Sequence, residues 1–306
     1  MRTLPIAMLL MLIPGMAAWG GEVIAHRGVH QQVDSARAGD GCSTSYTLPS
    51  DHDYLENTLA SMQAAFDAGA DWVEVDLRVT ADRQVVVFDD RMLDCRTDGS
   101  GPVRATTLDD LRRFDVGYGY SIDGGETYPF RCGADDVACR ARHRISTLQE
   151  VLAAFPERRF VLNLKGRSVE DADTVIDRLR AGFADGSMNP DHLMFFSSRA
   201  PAVNTRVQEA LPDLAVPRLV RSRMDLCLAG FARTGAFQDD CIGQDIAVSV
   251  ARMDAMGPQA QRLAAAVHHM EGTLHVYGVD SEAAYRFAQS LSPDFIWTDR
   301  IEALGL

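Results

Sequence analysis

The feature that most constrains this fold is an alternation of short apolar runs with helical segments along nearly the whole chain. "EVIAHRG" at 22–28, "DWVEVDLRV" at 71–79, "VVVFDD" at 85–90 and "RFVLNLKG" at 159–166 read as strands; so do "HLMFFSS" at 192–198, "LAVPRLV" at 214–220, "IAVSV" at 246–250, "TLHVYGV" at 273–279 and "DFIWTD" at 294–299. Between them, helical periodicity marks 56–70, closed by Gly69, then 106–114 with Thr107 as cap, and 146–155 with a Ser146 to Gln149 capping box. Further helices are expected over 168–183, 201–211, 254–270 and 281–291. Parallel neighbours need a crossover between them, so this alternation predicts an α/β protein with a parallel sheet, closing into a (β/α)8 TIM barrel with rim insertions. Nine candidates exceed eight, so one strand is accessory. A doubly wound open sheet is the alternative, but no Gly-rich dinucleotide fingerprint follows the first strand.

The 306 residues are ample for one such barrel, and the hydrophobic content of 46% is that of an ordinary globular protein. A formal net charge of −13 argues against a surface for nucleic acid or for an anionic membrane. The start, "MRTLPIAMLLMLIPGMAAWGGE", has one basic residue, an apolar stretch and small residues at Ala18 and Gly20. It reads as a signal peptide over residues 1–20, too short to span a bilayer, with the mature domain at 21–306. The expected location is periplasmic or secreted, with no stable membrane span after the signal is removed. Six cysteines in an exported chain fit oxidised pairs: Cys132 with Cys139, Cys227 with Cys241, and by remainder Cys42 with Cys95, one pattern out of the fifteen that six cysteines allow.

In "DWVEVDLRV" successive side chains alternate faces, so Glu74 and Asp76 point to one side among apolar neighbours, where two carboxylates repel unless a cation joins them. Barrel chemistry gathers where strands end, and polar residues fall there regularly: His26 and Arg27, Glu74 and Asp76, Asp89 and Asp90, Asn163 and Lys165, Ser197 and Ser198. No GxSxG elbow surrounds the serines, which makes them poor nucleophiles. Of the other histidines, His30 and His52 are expected in solvent, and His275 in the core beside Tyr277.

These residues resemble the glycerophosphodiester phosphodiesterase family of phosphatidylinositol phospholipase C-like barrels. "AHRG" at 25–28, "ENT" at 56–58, "EVDLRVTADRQVVVFDD" at 74–90, "LDCRTDGSG" at 93–101, "FDVGYGYS" at 114–121, "ISTLQEVL" at 145–152, "LNLKG" at 162–166 and "FIWTDRIEAL" at 295–304 carry the likeness. It implies hydrolysis of a small-molecule phosphodiester with a divalent cation, Ca2+ or Mg2+. By position His26 is implied as a proton-transfer residue, Glu74, Asp76 and Asn163 as metal ligands, Arg27 and Lys165 as phosphate contacts, and Glu56 and Asp90 as supports. Two positions depart from the pattern: Asp89 stands where the family has its second histidine, and Asn163 where it has a glutamate. Asp89 is then either a replacement ligand or an acid. With only one histidine the outcome could instead be a lyase or transferase product, or a non-catalytic phosphodiester-binding protein. Specificity is expected in the loop 29–55 and in an insertion over 115–143.

Overall fold

The computed structural model describes residues 20–38, 42–133, 135–197, 200–219 and 221–306; the expected signal peptide, save Gly20, lies outside them, as do Ser198 and Val220. The strands are β1 (Glu22–His26), β2 (Trp72–Val79), β3 (Val85–Val87), β4 (Arg159–Leu164), β5 (Leu193–Phe196), β6 (Ile246–Ser249), β7 (Leu274–Tyr277) and β8 (Phe295–Thr298). Seven of them run parallel in the order β5-β4-β2-β1-β8-β7-β6, a curled sheet with helices against one face, which is the expected α/β barrel. The accessory strand is β3, which folds back antiparallel on β2 with Leu77 opposite Val87.

The expected strand at 214–220 does not form. It makes one parallel bridge, Ala215 with Met194, and the Phe195 N–H donates to the Ala215 carbonyl at 2.8 Å. Pro217 then offers no N–H and steers Val216 away from pairing, so the barrel has a seam between β5 and β6. A helix that the periodicity missed, at Arg221–Thr234, packs there, with its Met224 Sδ 3.5 Å from the Ala247 N–H of β6.

The remaining main helices are α1 (Leu59–Asp67), α2 (Leu148–Ala154), α3 (Val169–Asp185) and α4 (Pro201–Ala210), followed by α5, the seam helix at Arg221–Thr234, and α6 (Val250–Met256), α7 (Pro258–His269) and α8 (Glu282–Ser290). The single helix expected over 254–270 is broken between α6 and α7, where Gly257 takes a positive φ of 54° and Pro258 starts afresh. Thr107 caps its short helix as expected. The capping box of α2 is Thr147 with Glu150, one residue beyond the expected Ser146 and Gln149.

Period-two alternation sorts the barrel into layers. Val23, Ala25, Val73, Val75 and Leu77 join the helices in one core, while Ile24, Trp72, Val161 and Met194 face inward with Phe295 and Trp297 against them. Each such side chain contributes about 1.5–3 kcal/mol by leaving water, so this inner layer is a firm floor. Two residues further along the strands come the polar His26, Glu74 and Asn163, with Phe196 at the same level, at the C-terminal mouth. A second small core of Leu55, Val86, Phe88, Leu93, Leu111, Tyr120 and Ile145 builds up the flank after β3. All three expected disulfides are present.

Candidate active site

The mouth is built around the turn that ends β1. The Arg27 N–H still follows the ladder, donating to the Glu74 carbonyl at 2.9 Å, but Arg27 itself adopts φ 63° and Gly28 φ 78°. A Cβ at Gly28 would sit 2.6 Å from Ser61 Oγ, which is the physical demand behind "HRG". The Arg27 carbonyl accepts from the Asn57 N–H at 3.0 Å and from Ser61 Oγ at 3.2 Å, so "ENT" clamps this turn. Asn57 also grips Asp76: its Nδ2 donates to Asp76 Oδ2 at 3.0 Å, and its Oδ1 accepts from the Asp76 N–H at 3.0 Å.

The side chains expected at the mouth converge. Arg27 Nε lies 2.9 Å from Asp76 Oδ2, and its Nη1 lies 2.8 Å from both Glu56 Oε1 and Asp89 Oδ2. Lys165 Nζ is 2.7 Å from Asp76 Oδ1 and 3.4 Å from Asp89 Oδ1. Asn163 Nδ2 donates to Glu74 Oε1 at 2.7 Å. His26 Nδ1 meets Asp299 Oδ1 at 2.5 Å, and its Nε2 is 3.8 Å from Glu74 Oε2. Asp90 pairs with Arg96 Nε at 2.8 Å, and Arg96 Nη1 lies 2.9 Å from Glu56 Oε2.

Electrostatics follow from these contacts. Burial opposes ionisation of Glu74, and the neighbouring Asp76 charge adds to it, pushing its carboxyl up to about 7. Burial acts on Asp76 in the same sense, but Arg27 and Lys165 outweigh it and hold Asp76 below the usual carboxylate range. Glu56 is likewise brought down to about 2, against burial, by Arg96 and Arg27. Burial disfavours charge on His26, yet Glu74 and the hydrogen bond to Asp299 carry its pKa up to about 9.

The oxygens at the mouth fit a cation. Glu74 Oε2 and Asn163 Oδ1 are buried without any hydrogen-bond partner, an arrangement that is costly unless something electropositive meets them. Six carboxylates, of Glu56, Glu74, Asp76, Asp89, Asp90 and Asp299, face the three fixed cations Arg27, Arg96 and Lys165. Glu56, Asp76 and Asp89 also bring oxygens within 4.8 Å of one another, but the Arg27 guanidinium already contacts all three. The unpartnered pair on Glu74 and Asn163 is therefore the better cation position, whereas both Asp76 oxygens are taken up by neighbours.

A cavity of about 330 Å³ opens beside this pair, bounded by His26, Lys165 and Asp299 on one side and by Phe196, Tyr277 and Trp297 on the other. Asp299 and Arg96 were missed by the residue reading. Asp299 closes the last strand in "FIWTD", so the strand-end rule points to it, whereas nothing local marks Arg96. His30 is buried rather than solvated, its Nδ1 3.1 Å from the Gly28 carbonyl and its ring 6.3 Å from that of His26. His275 is a core residue as expected, and Ser197 is buried with its N–H on Asn204 Oδ1 at 2.6 Å.

The sequence profile described as the "Glycerophosphoryl diester phosphodiesterase family" matches residues 41–303. A curated relative, the glycerophosphodiester phosphodiesterase of Caldanaerobacter subterraneus subsp. tengcongensis, is 33% identical over 113 residues, 37% of this chain and 40% of that protein. The match thus spans about two fifths of the relative's length. Among solved structures, the glycerophosphoryl diester phosphodiesterase domain of an uncharacterized Mycobacterium tuberculosis protein aligns with TM-score 0.64 at 18% identity, covering 94% of this chain and 98% of that one. A phosphodiesterase of Oleispira antarctica in complex with the product sn-glycerol-3-phosphate aligns with TM-score 0.57 at 19% identity, covering 94% and 96%.

Proposed function

The chain belongs to the glycerophosphoryl diester phosphodiesterase family, and from that membership we propose that it is an exported, metal-dependent hydrolase of glycerophosphodiesters, releasing an alcohol and glycerol phosphate. The observation that carries the reading is the convergence of His26 and its Asp299 partner with the unpartnered oxygens of Glu74 and Asn163 in one cavity. Those two residues would hold a divalent cation such as Ca2+ or Mg2+, with Asp76 as the neighbouring charge; when bound, it supplies positive charge for the phosphoryl oxygens. The domain takes in residues 21–306, and three disulfides support an oxidising destination, periplasmic or secreted.

His26 is the proton-transfer residue. Asp299 holds its Nδ1, while Nε2 accepts from Arg27 Nε at 3.2 Å and lies 3.8 Å from Glu74 Oε2, so the ring keeps one orientation. A cation at Glu74 would cancel the charge that raises His26 and leave its ring neutral. A hydroxyl of the substrate next to the phosphate attacks phosphorus and gives its proton to His26, while the bond to the leaving alcohol breaks and that oxygen takes the proton back from His26 by way of water; a water oxygen then bonds to phosphorus as the ring P–O bond breaks, and its proton passes to the freed oxygen. Arg27 and Lys165 stabilise the charge that builds on the phosphoryl oxygens. Asp89 is neither acid nor ligand in this scheme, because its two oxygens are held by Arg27 and Lys165, and it tempers both cations. That leaves the mouth without the second histidine that the family has at the position of Asp89, the observation that favours accumulation of the cyclic phosphate as the other outcome.

Phosphorus NMR of glycerophosphodiester mixtures tests this, with and without chelator. Wild type is expected to form glycerol phosphate, whereas His26→Ala or chelator lowers turnover at least about 100-fold. Asp89→His is expected to speed ring opening. A cyclic phosphate that persists in wild type supports the lyase outcome, and saturable binding without turnover sinks the enzyme reading.

A further inference from the structure

A second cleft on the same rim carries the opposite charge from the rest of the molecule. It has a volume of about 570 Å³ and is bordered by Arg78, Arg91, Arg104, Lys165 and Arg167, with Asp171 as the one acid on its lining. The chain bears a formal net charge of −13, so five cations around one depression are a strong local departure. The cleft lies past the end of β4, at Lys165 to Ser168, and beside the last turns of β2, at Arg78 and Val79. Lys165 also borders the catalytic cavity, so the two depressions share a wall.

Its cations are only partly neutralised: Lys165 is paired with Asp76 at 2.7 Å and lies 3.4 Å from Asp89. Arg104 is paired, with Glu170 at 2.7 Å and Asp171 at 3.6 Å, which uses up the one lining carboxylate. Arg78 is held by a main-chain oxygen, its Nε 2.9 Å from the Asp89 carbonyl, and keeps its positive charge uncompensated by that contact. Arg91 and Arg167 are exposed and make no ion pair among the described residues. Guanidinium groups offer paired N–H donors matched to the oxygens of a phosphoryl group, and planar forks of this kind bind it more selectively than an ammonium does.

We infer that this cleft binds a second phosphoryl group, carried by the alcohol portion of the substrate while the scissile diester lies at His26. The inference rests on the hydrolase reading and narrows it: the favoured substrates are glycerophosphodiesters whose alcohol bears a phosphomonoester, over those with an uncharged alcohol. Lys165 is the hinge between the two anions, and Arg91 with Arg167 supplies selectivity from the far side.

Two measurements on the full chain separate the possibilities. In the first, inorganic phosphate is titrated calorimetrically in the presence of chelator into wild type, into His26→Ala and into the Arg91→Glu/Arg167→Glu double variant. Saturable binding is expected in wild type and in His26→Ala, and at least about tenfold weaker binding in the double variant. In the second, kcat/KM is compared for a glycerophosphodiester with a phosphorylated alcohol and for glycerophosphoglycerol. The ratio is expected to fall about tenfold in the double variant while glycerophosphoglycerol turnover stays within about twofold. Phosphate binding that is absent from wild type, or unchanged in the double variant, overturns the cleft. Weakened binding with an unmoved ratio overturns the substrate assignment and leaves free phosphate as the occupant. Failure of the hydrolase reading has its own signature, no turnover of any diester, and the titration is independent of it.

Discussion

At the scale of single residues, the proposed proton-transfer group, His26, depends on a partner from the other end of the chain. Asp299 lies 273 positions from His26 and meets it at 2.5 Å. Burial would raise the Asp299 carboxyl, but the His26 hydrogen bond and charge outweigh it and keep it ionised below the usual range. Asp299→Asn keeps the shape and removes the charge that orients the ring, so kcat is expected to drop about 100-fold or more with KM changed little. Steady-state kinetics decide it; a rise in KM at constant kcat would mean that Asp299 touches substrate instead. His26, Glu74 and Asp76 were legible because position on a strand and period-two alternation fix which way each points. Arg96 was not, because its place depends on contacts with Glu56, Asp90 and Tyr120 that come from three separate segments. The Asp89 and Asn163 departures were visible as letters, but their consequence needed coordinates: Asp89 as counter-ion to Arg27, Lys165 and, at 4.0 Å, Arg96, and Asn163 as donor to both Glu74 and Asp76 with its oxygen left open.

At the scale of elements, the strands with clear alternation formed where expected and the one containing proline did not. The run 214–220 has the apolar content of a strand, yet one missing N–H at Pro217 is enough to end its pairing after Ala215. The strands β7 and β8 show what the inner face holds in place of a continuous apolar layer. His275 stacks on Phe295 with centroids 4.8 Å apart, and its Nδ1 accepts from Trp297 Nε1 at 3.1 Å, which requires a neutral ring. Burial pushes its pKa down to about 4, below the value of about 6.5 expected for an unfolded chain. The unfolded chain therefore binds the extra proton between these limits, so the contribution is whole above about pH 6.5 and is lost as pH falls toward 4. Urea titrations at pH 7 and pH 4.5 should show a stability loss that is smaller in His275→Gln by on the order of 2–3 kcal/mol. An equal loss in both proteins would remove His275 as the cause.

At the scale of the whole molecule, the rim is fastened more firmly than sequence spacing suggests. Cys42 and Cys95 lie 53 residues apart and tie the loop after β1 to the flank that carries Arg96; closing a loop of this length contributes about 4 kcal/mol in the chain-entropy description. The pairing was legible only by remainder, once the two pairs close in sequence were set aside, and the link to Arg96 and through it to Glu56 was not legible at all. The seam works in the other direction. Seven parallel strands paired edge to edge have two ends, β5 and β6, and the described residues join them by no ladder. A full hoop resists stretching all the way round, whereas a ring with one free joint yields there first. Protection of backbone amides against deuterium should therefore be greatest in β1, β2 and β4 and step down toward Leu193–Phe196 and Ile246–Ser249, read by mass spectrometry of peptides from the intact protein. Uniform protection across all seven would mean that α5 locks the joint as tightly as another strand would.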